Sequence, residues 1–237
     1  MKPRLGRCLG WILCLGLIWG CAGPQKGRQG PAPGAQAAPP KTLAVLPFDN
    51  NSVTDPERYA PLKKGLAAML VTDLRLAGTA LKVIERSKIE ALLKEIALGQ
   101  TGSIDQATAI RVGRILGAQS IAFGSFVVLG SQVRIDARIV KVETSEVLMA
   151  ESITGDRENF LGLEKGLAKK IASSLKVALA PTGSAPPGKG EMEAALLFSK
   201  GVAALDRGDK KAAREFFDRC VRIAPGYGDQ IKELEGV

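Results

Sequence analysis

The 237-residue chain predicts an α/β fold, a mixed β-sheet with helices packed on it in the order βαβααβββα, followed by a helical hairpin. Three patterns carry that expectation. The run LAVLPF, from Leu43 to Phe48, is apolar throughout, as a strand buried on both faces requires. Further on, Val133, Ile135, Ala137 and Ile139 alternate with Arg134, Asp136 and Arg138, so that strand has one packed and one wet face. Leu62, Leu66, Met69, Leu70 and Leu74 recur at the spacing of one helix face.

In chain order, residues 1–20 predict a targeting segment. Lys2, Arg4 and Arg7 precede an apolar run from Leu9 to Trp19, too short to span a bilayer as a stable helix. Ile18-Trp19-Gly20-Cys21 then resembles a bacterial lipobox, in which Cys21 becomes the lipidated first residue of the mature chain. Ala22 after the cysteine, by resemblance to lipoprotein sorting signals, implies the periplasmic face of the outer membrane. Cys8 and Cys14 leave with the leader, so beside Cys21 the mature chain keeps Cys220 and has no partner for an internal disulfide. Residues 21–41 are rich in proline, glycine and alanine and predict a tether with an r.m.s. span of about 25 Å.

The folded domain is expected over residues 42–180. Its centre begins with LKVIE from Leu81, a short strand that leads into Ser87-x-x-Glu90, the pattern of a capping box. Ile89, Leu92, Leu93 and Ile96 give that helix a buried stripe, and Gly99 and Gly102 break it. Asp105 can cap a second helix with Ala109, Val112, Gly113 and Leu116 on its face, and Gly117 stands just past its end. A meander of three strands follows, its third strand from Val147 to Ile153. A helix from about Glu158 to Ala180, with Phe160, Leu163, Leu167, Ile171 and Leu175 on one stripe, closes the domain.

The central segment resembles the curli-secretion lipoprotein (CsgG-like) family and its TolB-N-terminal-like and FlgO-like relatives. The residues that carry the resemblance are Val83-Ile84-Glu85-Arg86, Leu92-Leu93-x-Glu95, and Leu116-Gly117-Ala118 followed by Ile121-Ala122-x-Gly124-Ser125. It implies a non-catalytic envelope lipoprotein that assists secretion or envelope assembly through protein–protein contact. An alternative within the same fold type is a lipoprotein activator of a cell-wall synthase. A subunit of a secretion pore is disfavoured, because bilayer-crossing hairpins would have to be additional to the core strands and the connections in the meander are short.

Residues 181–190, PTGSAPPGKG, predict a second linker. Gly183-x-x-x-x-Gly188-Lys189 imitates a phosphate-binding loop, but Gly190 stands where Ser or Thr would hold magnesium, and the prolines remove backbone donors. Within residues 191–237, Leu197, Gly201, Gly208, Ala213, Phe217 and Pro225 fall at the hallmark spacing of one tetratricopeptide repeat. A lone repeat cannot cover its own apolar face, so it must dock on the α/β domain, on another copy or on a partner. Leu197, Phe217 and Val221 are the expected contact residues, and the hairpin is expected to be separable from a self-sufficient α/β domain.

The composition narrows the chemistry. Of the formal charge of +9, Lys2, Arg4 and Arg7 leave with the leader; the remaining surplus of about 9 − 3 = +6 suits anionic lipid or cell-wall polymer as well as nucleic acid, and no aromatic–basic interleaving favours nucleic acid. The absence of histidine excludes histidine triads, histidine metal sites and histidine proton shuttles. Asp49, Asp55, Asp73, Glu85 and Glu95 are not tied together by any motif, and Glu85-Arg86 suits a salt-bridged strand-to-helix corner better than a catalytic pair. No catalytic residue, cofactor or metal ligand is assigned. The expected partners are the membrane, through the lipid, and a protein partner or a second copy.

Overall fold

The computed structural model describes residues 40–76, 81–96, 104–179 and 188–235. The lipobox with Cys21, the tether and most of the second linker lie outside these residues. Strand β1 (Thr42–Val45) pairs in parallel with β3 (Lys82–Val83) on one side and with β4 (Ser120–Leu129) on the other. From β4 the sheet continues antiparallel through β5 (Gln132–Lys141) and β6 (Val147–Asp156), giving the order β3-β1-β4-β5-β6. A two-residue strand, β2 (Asp49–Asn50), adds to β4. The sheet is mixed, as the sequence predicts.

Helices cover both faces. Helix α1 (Pro56–Tyr59) is a single turn before α2 (Leu62–Leu76), and α2 packs with α5 (Phe160–Ser174) on one face. Helices α3 (Arg86–Glu95) and α4 (Gln106–Ile115) take the other face, around Ala44, Leu46, Ile121 and Val140. Consecutive residues of β1 point into different cores, Leu43 and Val45 toward α2 and Ala44 and Leu46 toward α3 and α4. That is why LAVLPF carries no polar residue.

Two expected boundaries shift for physical reasons. Helix α3 begins at Arg86, with Glu85 at the N-cap position making no side-chain cap, so Ser87 lies inside the helix and the Ser87/Glu90 capping box does not form. Glu90 instead binds Lys64 of α2 at 2.5 Å. Helix α5 stops at Ser174, not near Ala180, because Lys176 takes a left-handed backbone (φ 56°) and the Val177 amide turns back to the Ala172 carbonyl. By contrast Asp105 caps α4 as its position suggests, accepting from the Thr108 amide at 2.8 Å.

The C-terminal residues form α6 (Glu191–Asp206), α7 (Lys210–Ile223) and a short α8 (Gly228–Glu235). Helices α6 and α7 make a hairpin in which the Phe217 ring lies against Gly201, where a Cβ would come within 2.3 Å of it. The hairpin docks on the α/β part. Met192, Leu196, Phe198 and Tyr227 share one continuous core with Leu62, Leu66, Leu163 and Leu167. At the crossing of α2 and α6, Gly65 faces Ser199 so closely that a Cβ would stand 1.8 Å from the serine hydroxyl.

Candidate functional site

The docked hairpin leaves a groove of about 820 Å³ bounded by α2, the start of α3, α7 and α8. Its floor is apolar: Ala68 and Val71 from α2, Leu205 from the end of α6, Ala213 from α7 and Leu234 from α8. These residues lie here because α2 buries its other face on the sheet and α7 buries Ala213, Phe217 and Cys220 against α6. The rim carries both charges. Arg75 bridges Glu85 at 4.0 Å and Glu233 at 3.8 Å, tying the start of α3 to α8. Lys210, Lys211, Glu215 and Asp218 stand along the exposed side of α7.

Beside the groove lies a charged cluster that fixes the end of α6. Asp206 accepts from Arg86 and, at 3.2 Å, from Lys64, which also holds Glu90. Burial alone would pull the Lys64 ammonium down, but Glu90 and Asp206 outweigh it and raise its pKa. The Glu85-Arg86 pair is thus a salt-bridged corner, and its partners come from α2 and α6.

The sequence-predicted residues fall in different places. Leu197 and Phe217 are buried in the core of this chain, and Val221 is half-buried against it. Cys220 is fully buried, and burial pushes its thiol up to about 12, so it cannot supply a thiolate. The Gly190 and Glu191 amides donate to the Glu158 carboxylate at 2.6 and 3.1 Å, which occupies the donors that a phosphate would need. Of the unassigned acids, Asp49 accepts from the Ile104 amide at 2.9 Å, Asp55 precedes α1, Glu95 is exposed and Asp73 is buried. Among the described residues no group of three or more acidic or cysteine side chains has metal-holding geometry. Sequence reasoning missed the groove because its walls come from helices far apart in the chain; no motif records their meeting. Asp206, a carboxylate at the end of a helix where a cation is usual, was the available hint.

Residues 35–134 match the family described as Curli production assembly/transport component CsgG. This part of the chain is CsgG-like. It runs from β1 into β5 and contributes the α2 and α3 walls of the groove, whereas α6, α7 and α8 lie beyond it. The chain has no match among curated proteins. Solved structures similar to it include lipoprotein GNA1162 from Neisseria meningitidis, with 19% identity, 56% of this chain and 99% of that one covered, and a TM-score of 0.42. The LpoB C-terminal domain from Salmonella enterica has 13% identity, 52% and 87% coverage and a TM-score of 0.36. The PelC dodecamer from Paraburkholderia phytofirmans has 18% identity, 59% and 90% coverage and a TM-score of 0.37.

Proposed function

We propose that the protein is a non-catalytic lipoprotein of the bacterial outer membrane that assists secretion or envelope assembly by gripping a partner in the α2/α3/α7/α8 groove. The observation that carries this reading is the groove itself, with an apolar floor and a rim of both charges. An open trough of this kind suits an amphipathic segment of another protein, whose apolar side chains meet Val71 and Leu234 while its charges pair along α7. The CsgG match supports an envelope-assembly role, because its description is that of an assembly and transport component. Lipid at Cys21 would hold the folded part within a few nanometres of the membrane. A pore is the weaker reading: every described strand is paired within the one sheet, which leaves no spare hairpin among the described residues.

Two measurements test this. A photo-crosslinking residue at Lys211, in the groove, should give a discrete adduct in cells, while one at exposed Leu129 at the far end of β4 should not. The adduct mass separates a partner from a second copy, and equal labelling at both positions would sink the groove reading. Cys21→Ser should move the protein out of the membrane fraction and abolish fatty-acid labelling. If the variant stays membrane-bound and the wild type takes up no label, the anchor is wrong.

A further inference from the structure

Helix α8 forms one wall of the groove through Glu233 and Leu234, and its opposite side rests on a cluster of buried acids. Gln230, on that inner side, donates from Nε2 to Asp73 Oδ1 of α2 at 3.2 Å. Glu164 of α5 lies close enough to Asp73 and Gln230 for its carboxyl group to interact with both. All three side chains are buried, Glu164 completely. Lys165 of α5 also faces the pair, and the Tyr227 hydroxyl just before α8 faces Glu164 from the other side, with the Cys220 thiol of α7 and Glu191 of α6 next to it and Glu158 beside Glu191. Of the charged residues of α8, Asp229 and Lys232 pair at 3.8 Å on the exposed side, and Glu233 binds Arg75.

The hydrogen bonding of this cluster is incomplete in a particular way. Asp73 Oδ2, both carboxyl oxygens of Glu164, Glu191 Oε2 and Gln230 Oε1 have no hydrogen-bond donor from the described residues, and the Tyr227 hydroxyl also lacks a partner. Ionised carboxylates only accept, so two of them face to face repel and satisfy nothing. One proton between them converts an acceptor into a donor and removes a charge from the core.

We propose that Asp73, Glu164 and Gln230 form a proton-dependent latch on the groove: with a proton held between the two carboxyls α8 is clamped to α2 and α5, and loss of that proton frees α8 and its groove wall. The latch rests on the groove reading, since it gives that site its regulation. Burial pushes Glu164 well above the usual carboxylate range, with the neighbouring Asp73 charge adding to it. Burial also raises Asp73, against the opposing pull of Gln230 and Lys165. Glu191 is raised to about 7, again by burial, with Glu158 contributing. Raised carboxyls mean that the folded chain binds more protons than the unfolded one. The clamp is therefore at full strength below the ordinary carboxylate range and is lost as pH rises through the raised values.

The test is amide hydrogen exchange of α8 in the full chain, without any partner, corrected for the intrinsic pH dependence of exchange. Between about pH 5 and about pH 8.5, wild-type α8 should lose at least about tenfold of its protection relative to β5, the equivalent of one pKa unit. Glu164→Gln, which keeps a neutral donor in place, should change by less than about twofold over the same range. Gln230→Leu should leave α8 poorly protected at both pH values. Should Glu164→Gln fail to fold, Asp73→Asn takes its place with the same expectation. Wild-type protection that is constant with pH, or a neutral variant that follows the wild-type profile, overturns the latch. Because no partner is present, a missing crosslink at Lys211 would remove the groove's function without touching this result.

Discussion

Phe217 shows what docking does to a residue that sequence reasoning places at an interface. As a contact residue of a separable hairpin, it would matter to association and little to the melting of residues 42–180. Its ring lies against Gly201 and 5.8 Å from Phe198, inside the core that includes α2 and α5. Phe217→Ala should therefore cost about 3–5 kcal/mol of stability in the full chain, read from urea unfolding. A loss below about 1 kcal/mol would place the ring outside the shared core. The contact between Gly65 and Ser199 supplies a second residue-scale test. Gly65→Ala should destabilise by about 1–3 kcal/mol through overpacking. Adding Ser199→Gly should recover part of that loss, since the two side chains would compete for one space. Strict additivity would mean that α2 and α6 do not cross there.

At the scale of elements, the sheet was the most legible part. Alternation along β5 and unbroken apolarity along β1 are local patterns that report burial directly, and β1 and β5 lie close to where those patterns place them. Helix ends were less legible. Lys176 ends α5 in a conformation usually signalled by glycine, and Glu90 is drawn from the expected cap to Lys64. Ion pairs differ in the same way, since their worth depends on neighbours that come from other elements. Asp206→Asn should cost less than the about 3–5 kcal/mol of a broken, fully buried pair, because Lys64 is a third exposed, but clearly more than the surface pair. Lys170→Ala, which breaks the exposed pair with Glu151, should cost only about 0–1 kcal/mol. Equal shifts of the denaturant midpoint would remove any special role for the α6 terminus.

For the whole molecule, the core crosses the proposed linker at residues 181–190. Removing residues 181–237 should strip cover from α2 and α5 and lower the thermal midpoint of what remains, and the full chain should unfold in one transition. Two resolved transitions, or an unchanged midpoint after truncation, would restore two independent modules. The groove and the acid cluster were illegible for the same reason that carries the core across residues 181–190: Asp73 and Gln230 are 157 positions apart, and no local pattern encodes such a meeting. That separation also sets an order of events during biogenesis. A chain threaded N-terminus first presents the outer, apolar side of α2 long before its cover has emerged. Contacts this distant in sequence form slowly, and the half-made molecule shows sticky surface in the meantime. Until α6, α7 and α8 close over it, that side of α2 stays open to association with other incompletely folded chains.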